Sequence, residues 1–476
     1  MTDDIWRMPA TELVARISAR ELSPSEVTGA VLDRMDQLNP VLNAFCEPTQ
    51  ELARSTAAAL TERIARGETV GPLAGVPIGI KDLIAVKGVR TAMGSPIYRD
   101  FVPDEDDVVV ERVKSAGAVI LGKTTVPEFG YSGAGHNPVS PAARNPWNTA
   151  MTPGGSSSGS GAAVAAGIGP VALGTDGGGS VRIPSAHCGI YGFKPSMGRV
   201  PLYPGARDER FPGASSWESL GHIGPLTRTV ADAALLMSVL AGPDPRDRLS
   251  LPAGDVDWST AHEGEIKGLR VAFSPDWGYM AVDPEVREIT ARAAAVFEKD
   301  LGCTVEEAHP GWDDPFEAFW AVVVADTDLA GMRALLDTFG ADMSPHLVDI
   351  LSRNWTAEEL TSARMVRKAV YNSMWRFMAN YDLLITPTLA VPPFPLYSQG
   401  PEITENRMVA STRWLGFCFP MNLTGQPAAS VPAGFTADGL PVGLQITGRH
   451  LADADVLRAS AAFESAAPWA DHWPMP

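Results

Sequence analysis

The sequence predicts an α/β protein built in layers, with short buried strands covered by helices. The order of apolar and helical segments supports this prediction, and the length of the chain bears on the number of domains. Short apolar runs that favour buried strands, such as Val76–Lys81 and Val171–Leu173, alternate with longer segments of helical periodicity. The 476 residues suffice for a large core, and no linker-like run divides them, so we expect a single domain over residues 1–476.

The composition argues against nucleic-acid and membrane partners. The formal net charge of −18 describes an acidic surface, which repels phosphate backbones. No uninterrupted apolar stretch is long enough to span a bilayer, and the N-terminus carries Asp3, Asp4 and Glu12 without the apolar run of a signal peptide. We therefore expect a cytoplasmic protein that binds neither nucleic acid nor membrane.

Neither a metal site nor a disulfide framework is predicted. The eight histidines are dispersed and form no HExxH motif, and no pair of cysteines has CxxC spacing. We expect the four cysteines to be buried free thiols, which are Cys46, Cys188, Cys303 and Cys418.

The N-terminal region, up to about residue 66, is predicted to be helical. Ser23–Glu26 has the pattern of a capping box, with proline at the first helical position. Apolar residues then recur at helical spacing from Val27 to Leu38, and Pro40 is expected just beyond the end of that helix.

The remainder of the chain alternates predicted helices with a few strands. The helices are Val230–Ala241, Asp283–Lys299, Pro315–Phe339, Thr356–Asn380 and Ala452–Ala466. The strands are Leu269–Phe273, Tyr381–Thr386 and a pair made of Pro427–Pro432 and Val442–Ile446. We expect this pair to close the core.

A lysine ends the apolar, β-prone segment Val76–Lys81. An ammonium group is rarely placed in such a run, so either the amine of Lys81 reaches water at the strand end or it is buried. Burial lowers the pKa of a lysine, and only a neutral amine can accept a proton. In a strand, the next residue, Asp82, is expected to point to the opposite face.

Residues Gly117–Thr124 match the P-loop pattern GxxxxGK[ST]. In a P-loop, the residues between the two glycines form a bare loop whose N–H groups bind phosphate. Here they are Ala-Val-Ile-Leu, which favours a buried strand instead. We therefore reject a nucleotide site and predict a core strand and turn.

The stretch Met151–Arg182 has two glycine clusters on either side of apolar sequence. A flexible linker is one interpretation of Gly154–Gly161, but linkers do not lead directly into core segments. The same cluster contains GxSxG around Ser157, the nucleophile elbow of α/β-hydrolases. The preceding residues make a poor strand that ends in proline, and His187 is better explained as a core residue.

Several motifs together resemble the amidase signature family, whose members are serine hydrolases with a Ser–cis-Ser–Lys triad. They are Gly75–Asp82, Gly154–Ser157, Gly174–Arg182, Cys188–Gly189, Gly192–Pro195 and Ile223–Arg228. The resemblance covers roughly residues 5–240 and returns over about 380–450. It implies a mixed sheet between helices, with a helical N-terminal segment (1–66), a signature core (67–240), a variable and mainly helical region (241–380), and a C-terminal region that completes the core (381–476).

The resemblance also implies roles for individual residues. Ser180 would be the acyl nucleophile, Ser156 the cis serine that relays a proton, and Lys81 the base. The oxyanion hole would be formed by the backbone amides of Gly177, Gly178, Gly179 and Ser180. Phe129 and Tyr131 would lie near the active site and could contact substrate, although a packing role for Tyr131 is equally expected. No metal or organic cofactor is implied.

The expected substrate is a small, apolar or aromatic amide, anilide or carbamate, cleaved by a monomer or homodimer. Residues 205–220 form a long predicted loop that would set substrate access, with Arg207, Arg210, Phe211 and Trp217.

Two alternatives remain open. One is the A-type component of a tRNA-dependent amidotransferase, which uses glutamine within a complex. That component typically has a Ser-Asp-Thr-Gly-Gly-Ser turn followed by Ile-Arg-Gln, whereas this chain has Thr175-Asp176-Gly177 at the start of the turn and Ile183 in place of the glutamine. The other, more remote alternative is an α/β-hydrolase with Ser157 as its nucleophile.

Overall fold

The structure, a computed structural model, describes residues 5–205, 208–213 and 217–475. Its α-helices are α1 Ala10–Ser18, α2 Pro24–Leu42, α3 Gln50–Ala65, α4 Val108–Ser115, α5 Ser158–Ala165, α6 Arg182–Cys188, α7 Val230–Leu240, α8 Pro284–Lys299, α9 Phe316–Ala325, α10 Leu329–Phe339, α11 Pro345–Ser352, α12 Ala357–Met378, α13 Pro420–Thr424 and α14 Asp453–Ala466.

The strands are β1 Phe45–Pro48, β2 Pro77–Lys81, β3 Val119–Thr124, β4 Val171–Thr175, β5 Tyr191–Lys194, β6 Ile223–Thr227, β7 Arg270–Phe273, β8 Thr304–Glu307, β9 Leu383–Pro387, β10 Ile403–Thr404, β11 Arg407–Met408, β12 Ala428–Phe435 and β13 Pro441–Gly448. Eleven of them form one sheet in the order β1-β3-β2-β4-β6-β5-β12-β13-β9-β7-β8, and β10 pairs with β11. Parallel neighbours (β2 with β3 and β4, β7 with β8 and β9) coexist with antiparallel ones. The predicted α/β fold with a mixed sheet is therefore confirmed.

Both faces of this sheet are buried under helices. In β9, Leu383 and Ile385 belong to one apolar cluster, whereas Leu384 between them belongs to another. Because successive side chains of a strand point to opposite faces, the two clusters lie on opposite sides of the sheet. The sheet is thus the middle layer between two helical layers.

The register of two strands positions the chemically relevant residues. β2 and β4 are parallel, with Ile78 opposite Val171 and Ile80 opposite Leu173. The carboxyl ends of parallel strands meet at the same edge of a sheet, where ligands of α/β proteins commonly bind. Lys81 and Thr175, the last residues of β2 and β4, therefore end at one edge, although 94 positions separate them.

Several predicted elements are confirmed, and others need correction. The capping box of Ser23 and Glu26 is present, and Gly117–Thr124 contains strand β3. Pro40 lies inside α2, which continues to Leu42. Pro40 cannot donate a hydrogen bond to the preceding turn, but it lies in the last turn, where this loss does not interrupt a longer helix, and Asn43 then ends the helix in the left-handed conformation, at φ 50°.

The predicted helix Pro315–Phe339 is two helices, because Asp328 caps α10 by accepting a hydrogen bond from the N–H of Gly331. The expected all-helical region up to residue 66 also contains β1, which pairs with β3. A strand as short as β1 has too few residues to show a hydrophobic periodicity, so whether it forms depends on its pairing with another strand.

The described residues bear on two expectations, that the chain does not span a membrane and that its cysteines are buried free thiols. Within those ranges, no helix is both long enough and apolar enough to cross a bilayer. All four cysteines are free thiols; three are buried and Cys46 is partly exposed.

Candidate active site

Lys81, Ser156 and Ser180 come from three separate elements. Lys81 ends β2, Ser156 lies in the loop before α5, and Ser180 lies in the turn between β4 and α6. The peptide bond from Gly155 to Ser156 is cis. All three residues are buried, with exposed fractions of 0%, 2% and 9%.

The amine of Lys81 has three polar neighbours. Its Nζ lies 2.8 Å from Ser156 Oγ, 2.7 Å from Thr175 Oγ1 and 3.2 Å from the Thr175 carbonyl oxygen. Burial lowers the pKa of Lys81 well below its ordinary value, while the Asp176 carboxylate acts in the opposite direction. The site therefore favours a neutral amine.

Asp82 does not share this environment. Its carboxylate lies 3.2 Å from the amine of Lys123, which also donates to Thr91 Oγ1. The lysine of the P-loop-like sequence thus serves as the counter-ion of Asp82 within the core.

The two serines lie in the same cavity but are not hydrogen-bonded to each other. Ser156 and Ser180 both line it, yet among the described residues the hydroxyl of Ser156 is hydrogen-bonded only to the amine of Lys81. The nearest backbone link is the N–H of Ser157, which donates to the carbonyl of Ser180 at 3.2 Å. The structure therefore brings Lys81 and Ser156 into contact and places Ser180 beside them without closing the chain of hydrogen bonds.

The glycine turn is held by the carboxylate of Asp176. This carboxylate accepts hydrogen bonds from the N–H of Gly179 at 2.8 Å and of Val181 at 3.2 Å. Gly179 itself has φ 125°, and a Cβ there would lie 2.5 Å from that of Cys418, so only glycine fits. The turn is thus rigidly defined.

The hydrogen bond made by the Gly179 amide removes one donor from the predicted oxyanion hole. This amide is engaged by Asp176, whereas the amides of Gly177, Gly178 and Ser180 have no hydrogen-bond acceptor in the described ranges. Three amides, not four, are therefore without an acceptor, and two of these residues, Gly177 and Ser180, line the cavity.

A buried hydrogen-bond network holds the carboxylate of Asp176. The Arg182 guanidinium binds both oxygens of the carboxylate, at 3.0 and 2.9 Å, and Asn422 Nδ2 donates to it at 2.9 Å. Burial by itself raises the pKa of Asp176, but Arg182, Lys194 and Asn422 outweigh it and hold the pKa below the ordinary value. Sequence reasoning missed this role of Asp176; the acidic residue before three glycines, with an arginine six positions later, was the available signal.

The walls of the cavity are largely apolar. The lining side chains with apolar character are Leu83, Ile84, Phe129, Leu202, Trp217 and Ile223. Phe129, one of the two predicted substrate contacts, is among them. Tyr131 is not among the described lining residues; its hydroxyl lies 2.7 Å from Thr327 Oγ1 and its ring packs edge-on against Trp217.

The predicted access loop 205–220 contributes Trp217 to this wall. Arg210 pairs instead with Asp208 and Glu105 at the surface, and Phe211 packs against neighbouring aromatic rings. Arg207 lies outside the described residues.

The nucleophile-elbow alternative lacks its base in this structure. The hydroxyl of Ser157 is buried and donates to the Thr175 carbonyl at 3.3 Å, with no histidine contact in the described stretches of the chain. His187 stacks on Trp414, and burial lowers its pKa to about 3. His187 is therefore a core residue, as its sequence context suggested.

Comparisons with known proteins agree with this architecture. The sequence matches the Amidase family over residues 26–457. It is 42% identical to an acylamidase of Rhodococcus erythropolis, with 98% of this chain and 97% of the relative covered. It is 34% identical to the A-type component of the glutamyl-tRNA(Gln) amidotransferase of Geobacter metallireducens, with 98% of each chain covered.

A solved structure gives the same result. The crystal structure of a bacterial aryl acylamidase of the amidase signature family superposes with a TM-score of 0.89 at 34% identity, covering 97% of this chain and 96% of that one. The chain therefore belongs to the amidase signature family and is an amidohydrolase that acts on carbon–nitrogen bonds other than peptide bonds.

Proposed function

We propose that this enzyme cleaves a small, apolar or aromatic amide, anilide or carbamate through an acyl-enzyme, with Ser180 as nucleophile, Ser156 as proton relay and Lys81 as base. The observation that carries the proposal is the fully buried amine of Lys81, 2.8 Å from Ser156 Oγ, beneath a cavity that Ser180 also lines. The arrangement supports each of these roles in turn.

The hydrogen-bond inventory around Lys81 suits a base. A neutral amine has two N–H donors and one lone pair. The Thr175 carbonyl can only accept, and Thr175 Oγ1 can accept as well, so these two oxygens use both donors. The lone pair is then directed at Ser156, whose hydroxyl proton it can accept. Burial favours this neutral form because it disfavours ammonium.

Ser156 would connect the base to the nucleophile. As Ser180 Oγ attacks the substrate carbonyl carbon, its proton passes to Ser156 Oγ, and the Ser156 proton passes to Lys81 Nζ. Lys81 then returns one proton to Ser156, and Ser156 passes its own proton to the leaving nitrogen, so the C–N bond breaks, the amine leaves and an ester remains on Ser180. Water then hydrolyses that ester by the same route. The Ser156–Ser180 hydrogen bond is expected to form with substrate bound, since catalytic hydrogen bonds are often long in empty sites.

The glycine turn would stabilise the negative charge that develops on the carbonyl oxygen. The amides of Gly177, Gly178 and Ser180 are the candidate donors, because Asp176 occupies that of Gly179. Preorganised donors of this kind typically contribute about 3–4 kcal/mol each to transition-state stabilisation. Asp176 and Arg182 would act indirectly, since they fix the turn and are not among the residues that line the cavity.

The substrate class is inferred from the cavity wall and from the relatives. Phe129, Trp217 and the aliphatic lining favour an apolar or aromatic group next to the scissile bond. The names of the acylamidase and the aryl acylamidase agree with such a substrate. The amidotransferase components among the relatives keep glutamine as a second candidate substrate.

A hydrolysis panel with the purified chain alone separates these candidates. We expect release of aniline from acetanilide and from a phenylcarbamate, with little release of ammonia from glutamine. Activity confined to glutamine, and only in the presence of partner proteins of the complex, would reject the proposal in favour of the amidotransferase. Trapping of the acyl group on Ser180, located by peptide mass spectrometry, tests the covalent intermediate.

A further inference from the structure

The cavity that holds both serines also contains a buried carboxyl group. Asp107 lies immediately before α4, is 1% exposed and lines the same cavity as Ser156 and Ser180. The wall around it is made largely of aliphatic and aromatic side chains. A carboxyl in such a setting is costly unless something pairs with it.

The local structure uses only one of the two carboxyl oxygens. Asp107 Oδ1 accepts a hydrogen bond from the N–H of Val109 at 3.1 Å, which caps α4. Oδ2 has no hydrogen-bond partner among the described residues, and it is not one of the polar atoms sealed away from solvent. Asp107 lines the cavity, so a molecule bound there is the available partner for this oxygen.

A neighbouring glycine leaves room at this oxygen. Gly205 lines the same cavity, and a Cβ built on it would lie 3.7 Å from Asp107 Oδ2. Capping of α4 explains neither the unpaired oxygen nor the space beside it, because serine, threonine or asparagine would cap the helix without a second carboxyl oxygen.

No positive side chain of the described residues pairs with Asp107. Burial raises the pKa of Asp107 most; the charges of Arg246 and Lys123 lower that pKa, and Glu111 raises it. Both cations are engaged elsewhere: Arg246 binds Glu111 and Asp244, and Lys123 binds Asp82.

Burial is the dominant effect on this carboxyl and raises the pKa of Asp107 to about 8. The group is therefore mainly a neutral acid at pH 7 when the cavity is empty. A cationic ligand would shift it to the carboxylate, and the ligand would then supply the missing counter-ion.

We propose that Asp107 is a specificity-determining residue that binds an amino group of the substrate, remote from the scissile bond. The inference deepens the proposed function and rests on it, because it assigns the substrate class as an apolar or aromatic amide or carbamate that also carries an amine. The apolar wall holds the body of such a molecule, and Asp107 Oδ2 accepts a hydrogen bond from its ammonium group.

Matched compounds test this assignment. The first pair is para-aminomethyl acetanilide and para-ethyl acetanilide, which have similar shape and differ in charge. The second pair is the N-phenyl amides of para-aminomethyl and para-ethyl benzoic acid, which move the same difference to the acyl side. Hydrolysis and equilibrium binding by calorimetry are both measured with the full chain at pH 7.

Two variants accompany the wild type. Asp107→Asn keeps the cap on α4 and removes the charge. Asp106→Asn is the matched control, because Asp106 accepts from the N–H of Lys87, pairs with Lys114 at the surface and does not line the cavity. In at least one pair, the wild type and the control should prefer the amine by about tenfold or more, as a charge-assisted hydrogen bond provides. Asp107→Asn should lose that preference.

Binding of the amine should also release a proton. At pH 7, a carboxyl with a raised pKa gives up about one proton per amine bound, seen as a dependence of the binding enthalpy on the buffer. If Asp107→Asn fails to fold, Asp107→Ser, which also caps α4 and carries no charge, takes its place in both measurements.

The outcomes distinguish this inference from the function on which it rests. Amine preference and proton release in binding, without hydrolysis of either pair, would support Asp107 and reject the proposed reaction. Hydrolysis of both compounds with no preference, or a preference that Asp107→Asn retains, would reject Asp107 as the specificity residue and leave it as a helix cap.

Discussion

Replacement of Lys81 tests the least conventional step of the proposed mechanism. Lys81→Met keeps a long unbranched side chain in a fully buried position and removes the amine that lies 2.8 Å from Ser156 Oγ. The proton of Ser156 then has no acceptor. Lys81→Arg keeps a positive group, but guanidinium does not lose its proton in proteins. It is also larger than the amine it replaces in a site without exposed surface.

The expected loss follows from the role of a general base. Such a group typically contributes about 100- to 10,000-fold to rate, or about 3–5 kcal/mol of transition-state stabilisation. Both variants should therefore lose at least about 100-fold in kcat/KM. A lysine needed only for its charge or its volume would tolerate one of the two replacements.

The pH dependence provides an independent measurement. Burial lowers the pKa of Lys81 well below its ordinary value, and the neutral amine is the active form. Wild-type kcat/KM should therefore rise with pH through this lowered pKa and level off above it. Activity is measured by release of aniline from an anilide between acid and alkaline pH.

A second buried lysine supplies the control. Lys123 is fully buried but binds Asp82 away from the cavity. Lys123→Met should destabilise the fold, because Asp82 loses its counter-ion, and the remaining activity should keep the pH profile of the wild type. If Lys81→Arg retained near-wild-type activity with an unchanged pH profile, Lys81 would not be the base.

Three further outcomes are expected. Ser180→Ala should abolish labelling by a fluorophosphonate, detected by intact mass, whereas Ser157→Ala should keep most of it; the reverse pattern would restore the nucleophile-elbow mechanism. Chelators should leave anilide hydrolysis unchanged, because the proposed steps use only side chains, backbone amides and water, and inhibition by EDTA that zinc reverses would contradict this. Asp176→Asn should lower the free energy of unfolding in urea by about 3–5 kcal/mol, because a buried guanidinium loses its counter-ion. The surface substitution Glu12→Gln should cost less than about 0.5 kcal/mol, and equal effects of the two would refute the argument.

Sequence reasoning succeeded where the signal was local. The capping box at Ser23 and the strand containing Lys123 follow from short patterns whose physical basis lies within a few residues. The same reasoning failed at the end of α2, where the helix continues past Pro40 to Leu42, and in the Pro315–Phe339 segment, where the cap at Asp328 outweighs helical periodicity. The ordered motifs also indicated the amidase signature family, which the comparisons confirm.

The sequence by itself determined which residue types were available for chemistry: a lysine in an apolar strand, two serine-containing glycine clusters, and a glycine turn that only an unsubstituted backbone can form. The tertiary structure decided which of these groups meet. Parallel pairing of β2 with β4 brings Lys81 to Thr175, and Asp176 finds Asn422, which is 246 positions away. Asp107 gave no sequence signal at all, because its unpaired oxygen has meaning only beside a cavity whose walls come from distant segments of the chain. Hydrogen bonds and desolvation act over a few ångströms of space, so sheet register and packing, not sequence separation, determine them.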